Sequence, residues 1–229
     1  MRCPSVDGSS ALLAEVDARK RLAFVRNVML DQGNRARTWS WAWIATGLGL
    51  AGGGFVQAAL ADSTDEWLDP FVGGAASLFI PALIIADPLQ VMAHQSTLEA
   101  DLANLGPNES AADICAALAR AERLLAMSAD DEAFKTGVAA QIFVIGGNGA
   151  IALFLGLGFD HWRGALINGG GGLLISEFQI YTQPTGAVTE LARYRRGEVP
   201  AASAAQGLAV HVAPWIAPGG AGLAAAGTF

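Results

Sequence analysis

Four stretches of the chain are almost purely apolar, and the segments between them are richly charged. Residues 39–61, 70–86, 136–159 and 164–181 form these stretches, and only the last contains a charged residue, Glu177. A helix that crosses a hydrocarbon core of ~30 Å needs ~20 mostly apolar residues. The lengths therefore predict four transmembrane helices, and the fold class expected is an all-α, polytopic membrane protein.

Between the second and third stretches the apolar period is that of a helix rather than a strand. Leu98, Leu102 and Leu105 stand at i, i+4 and i+7, and Gly106, Pro107 and Asn108 then break the pattern. Ser110 opens a second helix with Ile114, Leu118, Ala121 and Leu125 on one stripe. This predicts a helical hairpin between spans two and three. Near the start, Leu12, Val16, Leu22, Val25 and Met29 recur at roughly helical spacing, with Arg19, Lys20, Arg21 and Arg26 among them. Ser9 or Ser10 suits the cap of that helix. A basic amphipathic helix of this kind either lies on anionic lipid or packs on the middle loop.

The organisation expected is thus an amphipathic helix over residues 1–38, a membrane hairpin over 39–92, a helical loop over 93–135, a second membrane hairpin over 136–184, and a tail over 185–229. From residue 199 the tail is rich in Ala, Gly and Pro, and His211 is its one ionisable side chain. Pro214, Pro218, Gly219 and Gly220 exclude a fifth regular span, and disorder is expected there.

The placement of basic residues orients the spans. Of 14 Lys and Arg, only Arg163 falls in the two short loops that follow spans one and three. The loop after span one is acidic instead, with Asp62, Asp65, Glu66 and Asp69. Lys and Arg accumulate on the cytoplasmic side, so both termini and the middle loop are expected there, in a bacterial cytoplasmic membrane. Trp39, Trp41 and Trp43 at one end of span one, and Trp67 and Trp162 at the opposite ends of spans two and four, suit headgroup anchors. The first 38 residues are charged and hydrophilic, unlike a cleavable signal peptide.

Composition adds exclusions. Hydrophobic residues make up 52% and charged ones 15%, a departure from soluble norms in the membrane direction. A net charge of −7 argues against a nucleic-acid partner, which wants a basic stripe. The two cysteines, Cys3 and Cys115, lie far apart in sequence and on the side expected to be reducing, so both are expected as free thiols.

Few residues point to chemistry. Gly47, Gly49 and Gly52 match a dinucleotide fingerprint in form, but they stand inside a span and not in a βαβ unit. Their use is steric: small residues four apart let helices approach closely. Gly49 and Gly53, Gly73 with Ser77, and Gly146 with Ala150 fit that pattern, and Gly169 begins a run of four glycines that marks tight packing or a bend. His94, His161 and His211 fall on different sides of the bilayer and have no cysteine at ligand spacing, so no metal site is expected. No catalytic constellation and no cofactor motif is visible. The run Asp130, Asp131 and Glu132 reads as an acidic lead-in to span three.

Gln57, Gln141, Asn148, Asn168, Glu177 and Gln179 interrupt otherwise apolar helices. Such groups face the bundle interior and hydrogen-bond across helices. Glu177 differs because an ionisable residue inside a membrane points to function by default. The candidate polar site is therefore Glu177 with Asn148, Gln141, Asn168 and Gln179.

The string Gly158, Phe159, Asp160, His161 and Trp162, leading to Glu177, Phe178, Gln179, Ile180, Tyr181, Thr182, Gln183 and Pro184, with Tyr194 and a Gly-rich C-terminus, resembles small four-span membrane proteins of GC-rich bacterial genomes. That group has no assigned activity, so the resemblance implies a topology and transfers no catalytic role. The function expected is non-enzymatic. It is exerted in the lipid bilayer through helix packing and contacts with a second copy or another membrane protein. The alternative is a small transporter or channel subunit that couples a proton or cation through Glu177.

Overall fold

The computed structural model describes residues 1–4, 8–106, 109–200, 209–217 and 220–228. Among the described residues, ten α-helices precede residue 200. After the short α1 (Ala11–Glu15), the chain turns at Val16 into α2 (Ala18–Ala59), a helix of 42 residues. At 1.5 Å per residue it is roughly 60 Å long, about twice a hydrocarbon core. The cap of α2 is Asp17, whose carboxylate accepts from the backbone of Arg19 and Lys20 and also holds the Met1 ammonium at 2.7 Å. The cap expected at Ser9 or Ser10 thus begins only α1, where Ser10 precedes the helix without a side-chain hydrogen bond.

α3 (Thr64–Ser77) and α4 (Phe79–Ala86) return along α2. Pro81 explains the break between them: it has no N–H to donate to Ser77, one turn back, where α3 stops. The packing against α2 uses glycine at one place above all. A β-carbon on Gly54 would lie 2.6 Å from the Pro70 carbonyl oxygen and 2.8 Å from the Gly74 backbone.

α5 (Gln90–Ala103) and α6 (Ala111–Thr136) pack against each other and against α2. Ser110 caps α6 in a reciprocal box with Asp113, as its place in the sequence suggested. Pro107 and Asn108, part of the expected break, lie outside the described residues. At Gly137 the chain passes from α6 to α7 (Val138–Phe159) through one extended residue, where a β-carbon would meet the Ala133 carbonyl oxygen at 2.8 Å. The short α8 (Trp162–Ala165) runs through a π-helical turn over Leu166–Gly170 into α9 (Gly171–Tyr181). The irregular turn thus enters the glycine run.

The principal core lies where the charged sequence is. Leu13, Val25, Met29, Leu98, Leu125 and Tyr194 are among its buried members, drawn from α1, α2, α5, α6 and α10 (Gly186–Arg195). Of the N-terminal apolar stripe, Val25 and Met29 are buried in this core and Leu22 packs against it, while Leu12 is exposed. The apolar helices are inverted in comparison: α7 buries only Leu155 and Gly156, and α9 buries no residue. Among the described residues, two helical stretches, Glu66–Ala103 and Ala111–Phe159, are long and apolar enough to cross a membrane. Only 17% and 11% of their most apolar windows are buried, so these windows lie outside the core.

Two expectations need correction. Cys3 and Cys115 are not free thiols: they form a disulfide, with Cα atoms 5.4 Å apart. Their separation of 112 residues concealed this, because the first turn of α6 packs beside the N-terminal segment. Nor is 185–229 a uniform tail. Gly186–Arg195 is the core helix α10, and Ala209–Ala217 pairs antiparallel with Gly220–Thr228 in a two-stranded ribbon, β1 and β2, where disorder was expected.

Candidate functional site

α7 places Gln141 and Asn148 seven residues apart, hence on one face, towards α9. Gln141 Nε2 donates to Glu177 Oε2 at 3.1 Å. Asn148 Nδ2 donates to the Val144 carbonyl at 2.9 Å and reaches the hydroxyl of Ser176, the residue before Glu177, at 3.4 Å. The Asn148 amide oxygen fills the space left by the missing side chain of Gly172. Gly169 brings the backbones together, since a β-carbon there would sit 2.6 Å from Ala152 Cβ. Glu177 is half-buried and its partner is an amide, not a cation.

Asn168 belongs to a second cluster. It stands in the π-helical turn and donates to the backbone carbonyls of Asp69 at 3.2 Å and Gly164 at 3.1 Å. Its oxygen covers Gly73. His161 Nδ1 pairs with the Asp69 carboxylate at 2.9 Å, so one turn of α3 is tied twice to the α8 region. Gln179 joins neither cluster and offers its backbone carbonyl to Thr182. The Thr182 hydroxyl in turn accepts from the indoles of Trp39 and Trp43, at 3.3 and 3.2 Å. Two of the three tryptophans at that end are thus engaged with the α9 terminus, while Trp41 is exposed.

Of the expected packing glycines, Gly73 and Gly169 make close approaches, whereas a β-carbon on Gly49, Gly53 or Gly146 would meet nothing within 4 Å among the described residues.

Sequence reasoning missed two buried ionic features in the charged half. Arg21, Glu122 and Tyr194 are 0%, 3% and 1% exposed. Arg21 Nε donates to the Tyr194 hydroxyl at 2.9 Å, its Nη1 to the Cys3 carbonyl at 3.1 Å, and its Nη2 to the Pro4 carbonyl at 3.3 Å and to Glu122. The Tyr194 hydroxyl donates to the same Glu122 oxygen. Burial pushes the Tyr194 phenol well above its ordinary value, so it remains a donor. Phe24 stacks on its ring at 5.6 Å.

The second feature is Glu132, which is fully buried. Its Oε2 accepts from the backbone N–H groups of Ala187 at 2.9 Å and Val188 at 3.3 Å, in the first turn of α10. Its Oε1 is buried without a hydrogen-bond partner among the described residues, as is Nε2 of Gln183, close in sequence to that turn. Burial pushes the carboxyl from 4.5 up to about 7; the two backbone donors oppose the rise and Asp131 adds to it. His94 lies on α5 with Nδ1 2.9 Å from the Ser128 hydroxyl, and burial lowers its basicity.

A signal for both acids was present. Continuing the stripe Ile114, Leu118, Ala121 and Leu125 by the same steps reaches Ser128 and then Glu132, with Glu122 beside Ala121. A carboxylate within an apolar stripe announces a buried partner. Among the described residues no group of three His, Cys, Asp or Glu side chains is arranged to hold a metal ion. No family model, curated protein or solved structure matches the chain.

Proposed function

We propose that this chain is a non-enzymatic, four-span protein of a bacterial cytoplasmic membrane that acts through helix packing and partner contacts. Its spans are residues 39–61, 70–86, 136–159 and 164–181, with the helical hairpin of α5 and α6 and both termini in the cytoplasm. The observation that carries this is the inversion of apolar surface. α7 exposes Val138, Ile142, Phe143, Leu153, Phe154 and Leu157, while the charged half encloses the core. In water, exposure of each such side chain forgoes about 1.5–3 kcal/mol of burial; in lipid it costs nothing. The distribution of Lys and Arg supports the orientation.

The open faces of Gly49, Gly53 and Gly146 favour a partner within the membrane, either a second copy or another protein. Crosslinking in native membranes followed by mass spectrometry tests this. Crosslinks to a second membrane chain, identical or different, are expected from residues flanking those glycines. Crosslinks confined to a single chain would remove the basis for a partner-binding role.

One observation favours a second reading, a small transporter or channel subunit. Glu177 is paired to the Gln141 amide in the seam between two apolar helices, where it has hydrogen-bond support without a neutralising cation.

A further inference from the structure

The disulfide and the orientation are in tension, and the tension is informative. Thiols facing the cytosol are held reduced, and disulfides that form there are mostly transient or redox-sensing. We infer that Cys3 and Cys115 form a reversible clasp, a redox-modified site that fastens the N-terminal segment over the buried Arg21–Glu122–Tyr194 group. The inference rests on the cytoplasmic placement of the charged half proposed above.

The geometry shows what the clasp holds. Cys3 is 5% exposed, and its carbonyl and that of Pro4 accept two of the Arg21 hydrogen bonds. The same segment is secured at its start, where Ala18 N donates to the Met1 carbonyl at 3.0 Å and the Met1 ammonium pairs with Asp17. Below it, Arg21 joins α2 to Glu122 of α6 and Tyr194 of α10. α6 runs into α7 and α10 follows α9, so this joint links the helix that precedes the second apolar hairpin to the helix that follows it. Opening the clasp leaves the segment held by non-covalent bonds alone and admits water towards the guanidinium.

The chemistry is thiol–disulfide exchange with a dithiol reductant. Cys115 is half-buried and Cys3 buried, so the incoming thiolate attacks the Cys115 sulfur. Cys3 leaves as a thiolate and takes up a proton. The second thiolate of the reductant then attacks the mixed disulfide, which releases Cys115 and closes the reductant's own disulfide. Two electrons and two protons pass to the cysteine pair. Oxidation by a small disulfide runs the same steps in reverse.

The test counts free thiols on the full chain in living cells. Cells with and without the thiol oxidant diamide are quenched in acid and alkylated with a large maleimide, and adducts are read by gel shift. Two adducts are expected at rest, none after oxidation, and two again after recovery. Sidedness is read on Cys3→Ser and Cys115→Ser, each with one thiol left, using permeant and impermeant maleimides on intact spheroplasts. Labelling by the permeant reagent alone is expected for both. Labelling from outside overturns the orientation and the inference with it. A pair locked at two adducts or at none, while the impermeant reagent stays out, overturns the clasp and leaves the orientation standing. In purified protein, reduction should speed amide exchange over residues 18–22 roughly tenfold; equal exchange in both states overturns the clasp as a cover.

Discussion

The carboxylate of Glu132 stands 2.9 Å from the backbone nitrogen of Ala187, so the helix leading into α7 caps the helix that follows α9. The first turn of a helix has free N–H groups and a partial positive charge, which a carboxylate satisfies. Here the carboxylate comes from 55 residues away and is fully buried. It carries the cost of burial with no cation beside it.

That cost predicts a pH dependence. The folded value of Glu132, about 7, lies above the ordinary 4.5, so the folded state binds its proton more tightly than the unfolded chain does. The stability contributed is fully present below about 4.5 and is lost as pH rises through about 7, to a limit of about 3 kcal/mol. Glu132→Gln retains an oxygen for Ala187 and removes the titration. Melting in detergent from pH 5 to 8 should therefore fall more steeply for wild type than for the variant. His94, with its value lowered by burial, slopes the other way in both proteins and cancels in the difference. Parallel curves would mean that Glu132 is not the titrating group.

The Arg21–Glu122 pair predicts a non-additive loss. Removal of one member of a buried pair costs about 3–5 kcal/mol, because the other charge is stranded, while an apolar replacement of both is often neutral. Arg21→Met and Glu122→Leu should each lower the melting temperature strongly, and the double variant should recover much of the loss. Additive losses would show that the two residues act separately.

These acids mark where the sequence could and could not be read. The stripe from Ile114 to Leu125 follows from its period, and Ser110 caps its helix as its chemistry suggests. The same stripe marks Glu122 and Glu132 as buried positions, but their partners Arg21, Tyr194 and Ala187 come from far along the chain, and local pattern does not name them. α10 was readable in principle: Ala187, Leu191 and Tyr194 stand at i, i+4 and i+7, but the low-complexity segment after them obscured it. At the candidate site, helical spacing brings Gln141 and Asn148 to the α9 seam. The π-helical turn instead directs Asn168 to Asp69, a departure from helical periodicity that spacing does not foresee.

Neighbouring glycines on α2 should behave differently. A β-carbon at Gly54 would crowd the Pro70 carbonyl at 2.6 Å, while Gly53 faces open space. Gly54→Ala should already lower the melting temperature of the isolated chain, since two backbones would have to separate. Gly53→Leu should leave it nearly unchanged and act only on association, measured by crosslinking in membranes. A silent Gly54→Ala would show that α2 and α3 do not pack as closely as this contact requires.

The proposed orientation predicts the behaviour of fusions to a reporter enzyme active only outside the cytoplasm. Activity is expected after Glu66 and at Asp160, in the loops poor in Lys and Arg, and none after Asn104 or Arg196. Activity after Asn104 would place α5 and α6 outside and would make Cys3–Cys115 an ordinary structural disulfide.

The last prediction separates the two functional readings. Gln141 donates to Glu177, and a glutamine at position 177 still offers an amide oxygen to that donor. Glu177→Gln should therefore leave expression and melting temperature nearly unchanged under either reading. Glu177→Leu leaves the Gln141 amide without its acceptor, and a buried unsatisfied group costs about 1–3 kcal/mol, so this variant should lose stability under either reading as well. Only proton or cation movement distinguishes them. In liposomes that enclose a pH-sensitive dye, a coupling role predicts flux with wild type and none with Glu177→Gln. The helix-packing role predicts that both proteins are equally silent. Equal flux through both would detach transport from Glu177 and direct attention to His161 and Asp69, two ionisable side chains 2.9 Å apart that tie one apolar hairpin to the other.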